Sequence, residues 1–159
     1  MDGFDFNNSP TEISEADVRG RTIVHTTSAG TQGLTNASQA DVVLTGSLVN
    51  AAAICAYIEA LKPERVSLVR MGKEAKERSV EDDLCAELLH GRLSGEGFDT
   101  STVRDRLRTA PAAKKFFDPA ATWAPEGDFD LCTDVDRFGF VLRLSHGAPG
   151  SAWLEKINL

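Results

Sequence analysis

Three short apolar runs, each closed by a glycine-containing turn and followed by a helix-forming stretch, most constrain what this chain can fold into. The runs lie at residues 21–27, 41–45 and 65–71. Their β-branched residues and short lengths are typical of strands buried in a sheet. Strands that alternate with helices pair in parallel, because each helix returns the chain to the start of the next strand. The order therefore predicts an α/β fold, a layered sheet of parallel βαβ units with helices on both faces.

The stretches between and after these runs carry helix signals of their own. A helix is predicted from near residue 31 to before residue 41, and a second over residues 50–61, where apolar residues recur at helical spacing. A third helix is predicted over residues 79–91, because Ser79 can cap its first turn and Gly91 can end it.

The length of 159 residues suits one domain with a core of its own. We expect a single α/β domain over residues 1–159, with a polar lead-in at 1–21, a βαβ core at 22–91 and a less regular part at 92–159. Glycine and proline punctuate this last part. Shorter elements are predicted as helices at residues 11–17, 101–107 and 112–117, and as a late or edge strand at residues 139–144.

Charge and composition exclude several kinds of partner. Asp and Glu number 24 against 17 Lys and Arg, a formal net charge of −7. No basic patch is concentrated enough to attract nucleic acid or an anionic membrane surface, so neither is expected as a partner. A secretory signal and an apolar stretch of the ~20 residues needed to span a membrane are both missing, and we expect a cytoplasmic protein. The cysteines are too few and too widely spaced for a disulfide framework, and Cys55 and Cys85 are expected to pack on apolar helix faces rather than to react.

Polar residues follow the predicted strands, where parallel α/β sheets bind their ligands. The first loop carries hydroxyl groups and glycine directly before a helix, whose N–H groups can hold a phosphate or a sulfonate. The second loop places Ser47 and Asn50 at a strand-to-helix junction. Both loops also have a structural explanation, as a turn with helix caps and as N-caps. The candidates in the first loop are Thr27, Ser28, Gly30 and Thr31.

Three acidic residues, Glu81, Asp82 and Asp83, occupy the first turn of the third predicted helix. The helix dipole favours carboxylates there by about 0.3–1 kcal/mol each, which explains them structurally. Three together also repel one another. A hard cation such as Mg²⁺, which takes oxygen ligands and bridges to phosphate, would relieve that repulsion. On the residues alone both explanations stay open.

Four segments together carry a family resemblance. They read FDFNNSP at residues 4–10, TTSAGT at 26–31, GSLVNA at 46–51 and VEDDLCA at 80–86. In this order they resemble the 2-phosphosulfolactate phosphatase family, and the resemblance continues more loosely through residues 129–141. It implies a Mg²⁺-dependent acid phosphatase that removes phosphate from 2-phosphosulfolactate, a step toward coenzyme M. Family members usually carry an Asn-Gly step in the first loop, where this chain has Ser28, Ala29 and Gly30, and the chain is expected to lack the family's N-terminal segment.

The resemblance also implies roles for the candidate residues. The first loop would hold the phosphoryl oxygens, and Ser47 and Asn50 would orient the organic part of a small phosphorylated or sulfonated acid. Glu81 and Asp82 would be catalytic, binding Mg²⁺ or positioning the attacking water. The alternative is a non-catalytic anion-binding or interaction domain of the same fold. A homo-oligomer is a further expectation, because an open sheet edge invites pairing with a second chain.

Overall fold

The computed structural model describes residues 3–27, 29–37, 39–148 and 151–159. These residues form helices and strands in mixture, which agrees with the α/β class. No helix within these ranges is both long and apolar enough to cross a lipid bilayer. The helices are α1 Pro10–Glu15, α2 Gly30–Asn36, α3 Ala51–Leu61, α4 Val80–Ser94, α5 Val103–Arg108 and α6 Glu126–Cys132, with 3-10 turns at Leu48–Asn50, Thr100–Thr102 and Pro111–Phe117; the strands are β1 Phe140–His146 and β2 Ala152–Asn158.

The prediction for α4 is confirmed at its start and wrong at its end. The hydroxyl of Ser79 accepts a hydrogen bond from the Asp82 N–H (3.3 Å), as the capping pattern predicts. The helix continues past Gly91 and ends at Gly95, which has a left-handed φ of 77°. Gly91 is needed inside the helix for another reason: a Cβ there would lie 2.3 Å from the carbonyl oxygen of Gly97. Its missing side chain lets the next loop pack against the helix.

The regular sheet is a late hairpin. β1 and β2 pair antiparallel, with Val141 opposite Ile157 and Leu144 opposite Leu154. The other edge of β1 receives residues 43–45, through hydrogen bonds from the Thr45 N–H to the Leu142 oxygen (3.0 Å) and from the Leu144 N–H to the Val43 oxygen (2.9 Å). The predicted strand at residues 139–144 is therefore a late strand that lies between two neighbours.

Two of the three predicted strands, residues 21–27 and 65–71, have no regular secondary structure. Within the described part of the chain, residues 21–27 and 65–71 make no hydrogen bond to another strand. Most of their side chains are exposed, Val24 by 83% and Val69 by 74%, whereas Leu68 packs against the core. Parallel pairing of these segments, with helices on both faces, thus stays a prediction.

The core lies where α3, α4 and β1 meet. Leu84 and Leu88 of α4, which share one helix face because they are four residues apart, are almost completely buried. Val103 of α5 and Val141 of β1 are buried against the same cluster. Leu48, in the loop that follows residues 41–45, belongs to the same cluster.

Truncating Leu88 to alanine is expected to lower the free energy of unfolding by about 2–5 kcal/mol, because it leaves a cavity in the core. Leu61, at the end of α3, is the matched control, since 49% of it is exposed. Leu61→Ala is expected to cost less than about 1 kcal/mol. Urea unfolding of the two variants measures both values, and equal losses would contradict the position of Leu88.

Candidate active site

The first loop uses its own hydroxyl groups to start α2. The Thr27 hydroxyl accepts a hydrogen bond from the Thr31 N–H (3.3 Å), and the Thr31 hydroxyl donates to the Thr27 carbonyl oxygen (2.8 Å). Gly30 packs close to the Thr27 hydroxyl: a Cβ on Gly30 would lie 3.1 Å from that oxygen. These contacts agree with the helix-cap explanation of the loop. Ser28, the fourth candidate, lies outside the described residues.

The first loop and the acidic turn are joined through residues 71 and 72. Gly33, one turn along α2 from Gly30, packs so tightly on Met71 that a Cβ would lie 2.6 Å from its sulfur. The next residue, Gly72, donates its N–H to Oδ2 of Asp82 (2.6 Å). Two of the three predicted site segments therefore lie on either side of this short stretch.

The three acidic residues of α4 have different surroundings. Asp82 is held by Gly72, and Asp83 accepts from Arg70 and from Arg78, both at 2.9 Å. Glu81 is exposed and makes no hydrogen bond through its side chain within the described ranges. The repulsion among the three carboxylates is thus offset by two guanidinium groups and one amide.

Arg70 and Arg78 are residues that the sequence patterns did not single out. They stand at the end of a predicted strand and in a charged loop, where a solvated arginine is the ordinary explanation. The structure brings both guanidinium groups to the acidic turn. Guanidinium groups are also the side chains that recognise phosphate and carboxylate oxygens, and both of these are paired with Asp83.

Glu81 and Asp82 fit one common kind of Mg²⁺ site, in which the protein supplies only one or two carboxylates. No group of three or more His, Cys, Asp or Glu residues in the described part of the chain is arranged to hold a metal ion. Mg²⁺ is, however, commonly bound by one or two carboxylates, with water and substrate phosphate completing its six ligands. The exposed Glu81 and the oxygen of Asp82 that Gly72 does not use match that donor set.

The second loop is built into the core instead. The Ser47 hydroxyl accepts from the Val49 N–H (3.2 Å), which caps the 3-10 turn. Asn50 is 4% exposed, and its Nδ2 donates to the Phe140 oxygen (3.1 Å). Its Oδ1 is buried and has no partner among the described residues.

The second loop is separated from the other two. Gly46, beside Ser47, packs on Leu89 of α4. Leu89 lies two turns after Asp82, about 10 Å along the helix axis. No hydrogen bond among the described residues joins Ser47 or Asn50 to the first loop or to the acidic turn.

Asp136, a second residue that the sequence patterns missed, holds the second loop in place. Its carboxylate accepts two hydrogen bonds from Arg92 (2.8 and 2.5 Å) and one from the Ala52 N–H (2.6 Å), in the first turn of α3. Its own N–H donates to the Leu48 oxygen (3.1 Å). The backbone of Asp136 is left-handed, with φ of 63°. The only sequence signal for this role is the tolerance of Asp for that conformation.

Electrostatics around this pair follow from its hydrogen bonds. The bond from Arg92 holds the pKa of Asp136 below its usual value, and the same bond raises the pKa of Arg92. Burial raises the pKa of the nearby Cys55 thiol and raises the pKa of Cys85 to about 11. Neither cysteine carries appreciable thiolate at neutral pH, so the prediction that they pack rather than react is supported.

A sequence model described as 2-phosphosulpholactate phosphatase matches residues 1–147 of the chain. The chain belongs to this family. A probable 2-phosphosulfolactate phosphatase of Caldanaerobacter subterraneus subsp. tengcongensis is 37% identical over 163 residues, covering 92% of this chain and 65% of the relative. Probable 2-phosphosulfolactate phosphatases of Gloeobacter violaceus and Clostridium acetobutylicum are 37% and 32% identical, covering 80% and 92% of this chain and 48% and 54% of the relatives.

The family resemblance carried by the four sequence segments is thereby confirmed. The match includes both loops, the acidic turn and Asp136, and it ends just after β1. The chain spans about half to two thirds of the length of the curated relatives it matches.

Proposed function

We propose that this chain is a phosphatase that hydrolyses 2-phosphosulfolactate, or a small phosphorylated acid close to it, with the help of Mg²⁺. The observation that carries the proposal is membership of the 2-phosphosulfolactate phosphatase family over residues 1–147. The contact of the first loop's helix and the acidic turn through Met71 and Gly72 supports it. So do the two guanidinium groups beside that turn.

The chemistry demands charge neutralisation and alignment more than covalent help. The water oxygen attacks phosphorus as Glu81 takes one of its protons, and the P–O bond to the organic part breaks; the ester oxygen leaves as the alcohol after it takes a proton from solvent, and Glu81 returns its proton to solvent. Thr27, Ser28, Gly30 and Thr31 hold the phosphoryl oxygens. Arg70 and Arg78 add positive charge at the same side. Mg²⁺, when held by Asp82, would supply positive charge that offsets the charge of the phosphoryl group.

Glu81 and Asp82 of α4 have different roles in the proposed reaction. Glu81, exposed and without a partner in the described structure, orients the attacking water and accepts its proton. Asp82 is fixed by the Gly72 N–H and would hold Mg²⁺ through its other oxygen. Ser47 and Asn50 hold the second loop in place, Ser47 by capping the 3-10 turn and Asn50 by bonding to Phe140, and they are given no contact with the ligand.

The proposal includes the arrangement of the sheet. With residues 21–27, 41–45 and 65–71 as parallel strands and helices on both faces, the first loop and the turn at Gly72 would lie at one edge of the sheet. It also includes the cytoplasmic location and the place in a route toward coenzyme M that the family resemblance implies.

Replacing Glu81 by glutamine is expected to slow phosphate release from 2-phosphosulfolactate in Mg²⁺ by about 100-fold or more, because the base is lost. The free energy of unfolding is expected to change little, since the Glu81 side chain is exposed. Glu59→Gln, which neutralises an exposed carboxylate on α3, is the matched control and is expected to keep the rate of the unaltered chain. Phosphate release and urea unfolding are measured on all three proteins.

Equal phosphate release by the unaltered chain and by Glu81→Gln would reject the role of Glu81. Saturable binding of 2-phosphosulfolactate with no release by any of the three would instead favour the non-catalytic anion-binding domain.

A further inference from the structure

The outer edge of β2 has no partner strand among the residues that the structure describes. Two hydrogen bonds at the ends of the hairpin fix its bonding pattern. The Gly147 N–H donates to the Ser151 oxygen (3.2 Å), and the Leu159 N–H donates to the Gly139 oxygen (3.3 Å), so odd-numbered residues bond each other at both ends. Bonding alternates along an antiparallel pair, so the odd-numbered residues of β2 bond to β1. The outward N–H and C=O groups, which pair with nothing in the described ranges, are those of Ala152, Leu154, Lys156 and Asn158.

Apolar side chains accompany this free edge. Trp153 is 51% exposed and Leu154 39% exposed, and Ile157 is the least exposed residue of β2. An exposed, regular edge strand with apolar side chains is a ready template for pairing with another strand.

The charged residues that would ordinarily block such pairing are held within the hairpin. Glu155 accepts hydrogen bonds from Arg143 (2.7 Å) and from Ser145 (3.1 Å). The ammonium group of Lys156 lies 4.3 Å from the centre of the Phe140 ring. Both charged groups therefore contact residues of β1.

We propose that two copies of this chain pair through their β2 strands, antiparallel, across a twofold axis at Leu154. A twofold axis perpendicular to the sheet makes identical strands antiparallel and sets one residue opposite its own copy. An axis at Glu155 would oppose two carboxylates, and an axis at Lys156 would oppose two ammonium groups; both are unfavourable. Axes nearer either end of β2 overlap fewer residues.

The axis at Leu154 avoids every like-charge pair. It sets Leu154 against Leu154 of the second copy, Trp153 against Glu155 and Ala152 against Lys156. The outward N–H and C=O groups at these even-numbered positions then bond across the interface. The two hairpins become one continuous sheet, with apolar residues at its centre.

Cysteine cross-linking tests this register. In a hydrogen-bonded antiparallel pair the two Cα atoms lie about 5.5 Å apart, within disulfide range. Leu154→Cys, in a chain whose exposed Cys132 is serine, is expected to form a covalent dimer under mild oxidation. Lys156→Cys is the matched control, because its two copies would lie about 13 Å apart along the strands.

Mass in solution tests the association itself. We expect the unaltered chain to have twice the 17.1 kDa of one copy at about 100 µM, and Leu154→Lys to be monomeric with an unchanged circular dichroism spectrum. A monomer at that concentration would overturn the proposal. So would a dimer that survives Leu154→Lys, or cross-linking at position 156 without cross-linking at 154. None of these readouts depends on phosphatase activity.

Discussion

Replacing Gly72 by alanine is expected to slow phosphate release by about 100-fold while the core stays folded. Gly72 has a left-handed φ of 62°, and a Cβ there would lie 1.9 Å from the backbone oxygen of Glu77. The turn at residues 73–77 must move, and the N–H that holds Asp82 moves with it. A displacement of about 1 Å near reacting atoms can cost 100-fold in rate. Steady-state phosphate release and urea unfolding, run on the same preparations, separate the two effects.

Gly95→Ala is the matched control for this variant. Gly95 is also left-handed, with φ of 77°, but nothing lies within 4 Å of its Cβ position. Only backbone strain of about 1 kcal/mol is added there, so the rate is expected to stay unchanged. A Gly72→Ala variant that keeps the full rate would show that Asp82 does not need this turn.

Substitutions at Asp136 are expected to destabilise the chain in a graded way. Asp136→Asn keeps a side chain that tolerates left-handed backbone and an oxygen for the Ala52 N–H, and loses the charge that binds Arg92. We expect it to lower the free energy of unfolding by about 2 kcal/mol, less than for a fully buried pair, because both side chains are about a quarter exposed. Asp136→Ala also loses the helix cap and strains the backbone, for about 4 kcal/mol altogether.

The difference between the unaltered chain and Asp136→Asn depends on pH. The pKa of Asp136 is lower in the folded chain than in the unfolded one, chiefly through the Arg92 hydrogen bond. Such a group stabilises fully above its unfolded pKa of about 4, and the stabilisation is lost as pH falls through the folded value. Urea unfolding should therefore show the full difference at pH 7 and a shrinking one below about pH 4. A difference that is the same at both would mean that charge is not its cause.

The sequence predicted those elements whose signals are local. The start of α4 follows from Ser79, whose hydroxyl reaches the Asp82 N–H. Of the two N-cap candidates in the second loop, Ser47 does cap, at a 3-10 turn before α3, and Asn50 does not. The end of α4 was wrong, because Gly91 owes its presence to the approach of Gly97 and not to a helix stop. Glycine alone does not distinguish the two causes.

The candidate site could be predicted only in part, because some of its contacts depend on tertiary packing and have no local sequence signal. Segments at the strand ends were identified by position, and the structure joins the first loop to the acidic turn. The contact that joins them, Gly33 on Met71, depends on how α2 packs and has no local signal. Asp136 lies far along the chain from Ala52 and Arg92, so that its role exists only in the folded molecule.

The proposed activity is tested most directly by following 2-phosphosulfolactate with ³¹P NMR in the presence of this chain and Mg²⁺. The phosphate ester signal is expected to disappear and inorganic phosphate to grow in its place, and removal of Mg²⁺ by a chelator should stop the change. An ester signal that persists unchanged in intensity, with the chain folded and Mg²⁺ present, would contradict the account.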